Sequence, residues 1–344
     1  MKVLYIDHVE NDFLSAIVYL GLCEELGASS IIDWPWKPTF HGQIYDGPVP
    51  YPPPLDRKIE EPFHWLSPQS ARAWSDDEVA ERIREFDLVV LASPRAYNAQ
   101  ALTQLIERVG RDRLPRLVQM DGEDYTAVRW DYVERFRPHV YFKTSMVKRP
   151  YEVYLAEKER TSGQTRVVSF PLASAIRAAP ALPKTLDVVF LGGGNWHPGR
   201  QEGVPLTQPC QKPFLEARLA QEFPGFIGGY LPYEECIATL CRARIAVCVG
   251  GHGVTALRAY EILSCPGTLL ARERNDHVVP HPMVDGVHEV SFDGGDFDDI
   301  VRVLRKYLQD EPARARIAAA GNALQLQHYT PRARARQLLD EALR

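Results

Sequence analysis

An arginine and a glutamate three residues apart, Arg258 and Glu261, follow a glycine-rich turn in the stretch CVGGHGVTALRAYEILSCPGTLLA (248–271). On a helix this spacing sets both side chains on one face. In bulk solvent the pair would be an ordinary ion pair contributing about a few tenths of a kcal/mol. The flanking runs IAVCVG (245–250) and GTLLA (267–271) have the composition of buried strands, so the polar face is expected to open on a ligand crevice. There Glu261 would accept hydrogen bonds from the two hydroxyls of a ribose, while Arg258 and the turn's N–H groups would neutralise phosphate oxygens.

A second glycine-rich turn, FLGGGNWHPGR (190–200), also follows an apolar run. Gly192 and Gly193 here, with Gly250, Gly251 and Gly253 in the other turn, would offer backbone N–H groups to a diphosphate. Glycines at strand ends also serve turns alone. A dinucleotide fingerprint is not met, because His197 stands where the third glycine of G-x-G-x-x-G belongs. That departure speaks against a nicotinamide dehydrogenase.

Further candidates for acid–base or metal chemistry lie elsewhere in the chain. His8, in VLYIDHVENDF (3–13), follows the first apolar run, where an imidazole could take a proton from an acceptor hydroxyl; alternatively Asp12 caps a helix and His8 is a plain loop residue. Asp121, Glu123 and Asp124, in QMDGEDY (119–125), could bind sugar hydroxyls, act as a base, or form an ordinary turn. Asp296 and Asp298, in DFD, precede an amphipathic run and suit helix capping rather than metal binding. Pro280 between His277 and His281 spoils a helical metal face. No metal site is expected.

These residues need strand ends and helix starts to position them. In the first third, VLYI (3–6), LVVLA (88–92), LVQM (117–120) and VYFK (140–143) alternate with helical patterns at 13–26, 76–86 and 101–109. Short buried strands between helices imply a parallel sheet covered on both faces. The stretch 34–74, rich in proline and holding four of the six tryptophans, interrupts that rhythm as an ordered excursion, either a flap or an acceptor-binding lid. After the linker-like RAAPALPKT (177–185), DVVFLG (187–192), FIGG (226–229), IAVCVG, GTLLA and HEVSF (288–292) alternate with helices again. The reading is α/β, with two Rossmann-like doubly wound domains facing across a cleft: 1–176 and 185–327, with a carboxy-terminal helix at 328–344 that is a candidate for packing back on the first domain.

Composition narrows the function classes. A net charge of −5 gives no global attraction to nucleic acid or anionic membrane, so any basic surface must be local, RFRPHVYFKTSMVKRPY (135–151) being the best stretch for it. No apolar run approaches the roughly 18 residues of a membrane helix. The six cysteines form no CxxC pair and suit buried thiols in a reducing cytoplasm.

From YLPYEECIATLCRARIAVCVGG (230–251) through RAYEILSCPG (258–267) to the HYT…R tail (328–334), the order of motifs resembles the carboxy-terminal half of the CgeB-like, GT-B-fold glycosyltransferases. The resemblance covers roughly the last 160 residues and the 190–200 turn. It implies that Glu261 holds the nucleotide ribose, that Gly250, Gly251 and Gly253 lie near the diphosphate, and that Arg200 neutralises phosphate. Where the wider group has a first glutamate separated from the second by seven residues, this chain has Gly253, with His252 beside it as a substitute. The expected function is metal-independent transfer of a sugar from a nucleotide sugar, a UDP-sugar, to a hydroxyl-bearing small molecule, glycan or protein, with no cofactor. Two rivals are transfer to a modified base in DNA and a nucleotide- or sugar-binding protein without turnover.

Overall fold

The computed structural model describes residues 1–47, 61–63, 66, 72–148, 152–153, 165–176, 179–192, 211–250 and 256–344. The chain divides into two compact units, Met1–Pro171 with Pro331–Arg344, and Leu172–Thr330.

Unit 1 is built on a parallel sheet of β1 (Val3–Ile6), β2 (Ile31–Asp33), β3 (Leu88–Leu91), β4 (Arg116–Asp121), β5 (Val140–Lys143) and β6 (Arg166–Ser169), in the order β2-β1-β3-β4-β5-β6. β1, β3 and β5 are buried along their whole length, which is why each is a continuous apolar run rather than an alternating one. Among the described residues the crossover helices include α1 (Phe13–Leu26), α2 (Asp76–Glu81), α3 (Ala96–Val109) and α4 (Trp130–Phe136). The helix expected over 76–86 ends at Glu81 and gives way to a 3-10 turn over Ile83–Glu85. α1 is apolar around most of its circumference because it is covered twice, with Leu14 through Leu22 all buried.

Unit 2 contains β7 (Leu186–Leu191), β8 (Ile227–Gly229), β9 (Ala243–Cys248), β10 (Leu269–Glu273) and β11 (Val290–Phe292), all parallel in the order β11-β10-β9-β7-β8. Its helices are α5 (Lys212–Glu222), α6 (Tyr233–Arg242), α7 (Leu257–Leu263), α8 (Phe297–Gln309) and α9 (Glu311–His328). One sheet face packs Val188, Ile245 and Leu269 against Leu215 and Leu219 of α5, Ile300 and Leu304 of α8 and Ile317 of α9. The other packs Val189, Ala246 and Leu270 against Ile237 of α6 and Ile262 of α7. Asp296 caps α8 by accepting from the N–H groups of Asp298 and Asp299, so the DFD motif is a helix start.

The final helix, α10 (Pro331–Leu343), covers α1 in unit 1. Glu25 at the end of α1 binds Arg332 at 2.6 Å and Arg336 at 3.1 Å. Gly21 permits the approach: a Cβ there would sit 2.0 Å from the carbonyl oxygen of Pro331.

Candidate functional site

In each sheet the strand order reverses once, between β1 and β3 in unit 1 and between β7 and β9 in unit 2. Doubly wound sheets bind ligands outside the strand carboxyl ends at such a reversal, because the crossovers leave opposite ways there and open a crevice.

In unit 2, β7 runs into Gly192, whose φ of +107° is a backbone conformation few side chains tolerate. A Cβ at Gly192 would lie 3.7 Å from Nη2 of Arg258, so this turn rests against the guanidinium delivered by α7. Arg258 Nη1 binds Glu261 Oε2 at 2.7 Å and donates to Cys236 Sγ at 3.0 Å. Glu261 is 6% exposed. Burial raises its pKa, and Arg258 opposes the rise. The pair therefore presents a buried carboxylate held in place through Oε2 by the guanidinium.

Beyond β9, the Gly250 N–H donates to Glu273 Oε2 at 3.2 Å, tying the second glycine turn to the end of β10. Lys212 opens α5 half-buried, and no carboxylate among the described residues pairs with it. Burial lowers its pKa, partly offset by the negative potential of Cys248 and Glu273. Gly250, Gly192, Arg258 and Glu261 are thus positioned by adjacent strand ends. Gly193, Arg200, Gly251, His252 and Gly253 lie outside the described residues.

In unit 1, His8 sits just past β1 and is 3% exposed. Its Nδ1 accepts from the Glu10 N–H at 2.9 Å, and its Nε2 faces Arg95 Nη1 at 3.2 Å. A neutral imidazole has one ring-nitrogen lone pair to give, so two donors cannot both be satisfied. The cation has none. Its pKa is accordingly pushed down to about 4, by burial first and then by Lys37 and Arg95 against the pull of Asp7. To take a proton from an acceptor hydroxyl, His8 must have one donor displaced by that hydroxyl.

Arg95, which follows β3, also binds Glu10 at 2.7 Å, Glu123 at 2.8 Å and Asp12 at 3.7 Å. Lys37, 1% exposed, donates to Asp7 Oδ2 at 2.6 Å and to the Glu10 carbonyl at 3.0 Å. Burial would raise the Asp7 pKa, but Lys37, His8 and hydrogen bonds from Lys37 and Ser15 outweigh it and hold it low. Asp12 caps α1, its side chain accepting from Ser15 N–H.

Asp121, at the end of β4, is fully engaged: Lys143 at 3.0 Å, the Glu123 N–H at 3.0 Å and the Tyr141 hydroxyl. Burial raises its pKa against those partners. Asp124 is exposed. Lys37, Arg95 and Lys212 were not among the sequence candidates. The signals were present for two: Arg95 follows LVVLASP at a strand's carboxyl end, and Lys212 opens the first helix after a glycine turn.

Residues 186–340 match a family described as glycosyl transferase-like. No curated protein matches the chain. Among solved structures, Anabaena Alr3699/HepE in complex with UDP and glucose aligns over 99% of this chain and 98% of its own, with a TM-score of 0.58 at 12% identity. Sucrose-phosphate synthase from Thermosynechococcus elongatus gives 0.55 at 10% identity, over 99% of this chain and 98% of its own. A glycosyltransferase from Rickettsia africae gives 0.58 at 8%, over 99% and 97%. The fold is GT-B.

Within this GT-B chain the glycosyl transferase-like match begins at the first residue of β7 and so takes in Gly192, Lys212, Gly250, Arg258 and Glu261. His8, Arg95 and Asp121 lie ahead of it, in the amino-terminal GT-B unit. No helix among the described residues is long and apolar enough to cross a membrane.

Proposed function

We propose that the protein is a glycosyltransferase of the CgeB-like kind that binds a UDP-sugar on unit 2 and transfers the sugar to a hydroxyl acceptor bound on unit 1. One observation carries this reading. Glu261 holds a buried carboxylate beside a guanidinium that itself abuts Gly192, at the strand-order reversal of a sheet matched by a glycosyl transferase-like family. Ribose hydroxyls fit the carboxylate. Diphosphate oxygens fit Arg258, Lys212 and the turn N–H groups, a set of cations and amide donors that compensates the departing charge and would repel a metal ion rather than ligate it. Gly193, Arg200, Gly251, His252 and Gly253, outside the described residues, would serve the same diphosphate on this reading. HepE, which shares the fold, has been captured with UDP-glucose. His8 would take the acceptor proton once the acceptor hydroxyl displaces Glu10 N–H or Arg95; Asp121 and Asp124 are the other acids at that edge. The free, mostly buried thiols suit a cytoplasmic setting.

Calorimetric titration with UDP tests the donor half. Glu261→Gln keeps the side chain's shape and removes its charge. It should weaken UDP by about 1.5–3 kcal/mol, roughly 10- to 150-fold, with thermal unfolding little changed. Unaltered UDP affinity would mean that Arg258 and Glu261 are only an ion pair within unit 2.

A further inference from the structure

The described residues contain four exposed aromatic side chains: Phe13, Tyr97, Tyr125 and Tyr230. The first three each lie within two residues of a group in the unit 1 charge cluster. Phe13, 49% exposed, follows Asp12; Tyr97, 37% exposed, comes two after Arg95; Tyr125, 68% exposed, comes two after Glu123. The segments converge in space as well as through Arg95, since a Cβ at Gly122 would touch Leu14 and lie 3.5 Å from Asp12 Oδ1. Each of the three follows the carboxyl end of a strand of one parallel sheet, Phe13 after β1, Tyr97 after β3 and Tyr125 after β4, so the topology delivers them to the same edge, where the Phe13 ring also packs on Phe63 with centroids 4.9 Å apart.

The charges at this edge are predominantly acidic. Among the described residues Asp7, Glu10, Asp12, Asp121 and Glu123 meet three cations, Lys37, Arg95 and Lys143, and all three are already paired. His8 adds no charge near neutral pH. Two acceptor atoms remain unused among the described residues: Glu123 Oε2, and Asp7 Oδ1, which is buried and without a partner. A buried carboxylate oxygen left unpaired is a group that a ligand hydroxyl can complete.

We propose that this edge of unit 1 binds an uncharged saccharide, its C–H faces against Phe13, Tyr97 and Tyr125 and its hydroxyls donating to the Glu123 and Asp7 carboxylates. A sugar ring offers both surfaces at once, apolar C–H groups for the negative faces of the rings and O–H donors for fixed acceptors. A sugar phosphate or a DNA strand meets the opposite conditions, because its anionic oxygens would have to displace a carboxylate from Arg95 inside a net negative field. The inference names the acceptor class for the transferase reading above and rests on it.

The test uses the full chain on an array of neutral, sulfated and phosphorylated oligosaccharides, with immobilised duplex DNA in the same buffer and UDP calorimetry in parallel. Binding to neutral glycans is expected, with no retention on duplex at low salt. Phe13→Ala and Tyr125→Ala, both at exposed positions, should each lower the neutral-glycan signal by about threefold to tenfold while leaving UDP affinity unchanged. Preference for phosphorylated glycans or duplex, absence of neutral-glycan binding, or a signal unmoved by both variants overturns the proposal. The two readings fail separately. Neutral-glycan binding sensitive to the variants but without UDP binding sinks the transferase and keeps the saccharide site; UDP binding with an anionic preference does the reverse.

Discussion

Replacing His8 by asparagine should flatten the acid side of the protein's stability profile. The imidazole titrates at about 4 in the folded chain against 6.5 for an unperturbed side chain. Between those values the unfolded chain takes a proton that the folded chain refuses, so stability present above the unfolded value is lost as pH falls towards the folded one. The loss from this group works out at about 2 kcal/mol by pH ~5 and about 3 kcal/mol by pH ~4, levelling off only below the folded value. The charges around the ring fix the direction. Arg95 and Lys37 oppose protonation and Asp7 favours it, but burial is the largest effect and acts with the cations.

The assay is equilibrium urea unfolding of the wild type and His8→Asn across that range. Asparagine keeps an acceptor near the position of Nδ1 for the Glu10 N–H, so the variant should fold and lack only the titration. The difference between the two curves isolates His8 from the carboxylates that titrate nearby. Parallel profiles would refute the account, since they would mean that the ring is solvated and protonates normally. A transferase that uses His8 should also keep kcat/KM level down to pH ~5, its acid limb lying near the folded value.

Two further substitutions probe the frame of unit 1. Lys37→Met leaves the Asp7 carboxylate buried without its ammonium and should cost about 3–5 kcal/mol in denaturant unfolding, whereas adding Asp7→Leu should recover much of the loss; no recovery would show that the pair does more than balance charge. Gly21→Ala would favour an isolated helix by about 1 kcal/mol, but here its Cβ meets the Pro331 carbonyl and Ala335, so thermal unfolding should move down; an upward shift would mean that α10 yields without cost.

What the sequence disclosed, and what it hid, follows from the range of each interaction. The doubly wound order was legible because β1, β3 and β5 are buried on both faces and appear as unbroken apolar runs between amphipathic segments. β2 and β6 escaped notice: the first is three residues long and the second half-exposed, so neither carries a pattern that stands above its neighbours. Arg258 and Glu261 were legible as a pair because their spacing is local, while the contact of Arg258 with Gly192 joins residues on separate crossovers and exists only once β7 and β9 lie side by side.

Lys37 marks the opposite extreme. A lysine among prolines and tryptophans is expected to be exposed, and its burial depends on Asp7, brought to it by the pairing of β1 with β2. The Asp121 and Lys143 pair stands between these cases. Both residues close apolar runs visible in the sequence, and in a parallel sheet two such runs end at the same edge. The acid at the end of QMD therefore meets the lysine at the end of VYFK as a consequence of parallel pairing, and the carboxylate considered as a base is held by a neighbouring strand. The same logic places Arg95 among Glu10, Asp12 and Glu123. Each follows a strand whose carboxyl end lies at one edge, so charge collects there because the topology delivers it, and the crevice becomes selective through the imbalance of five acids over three bases.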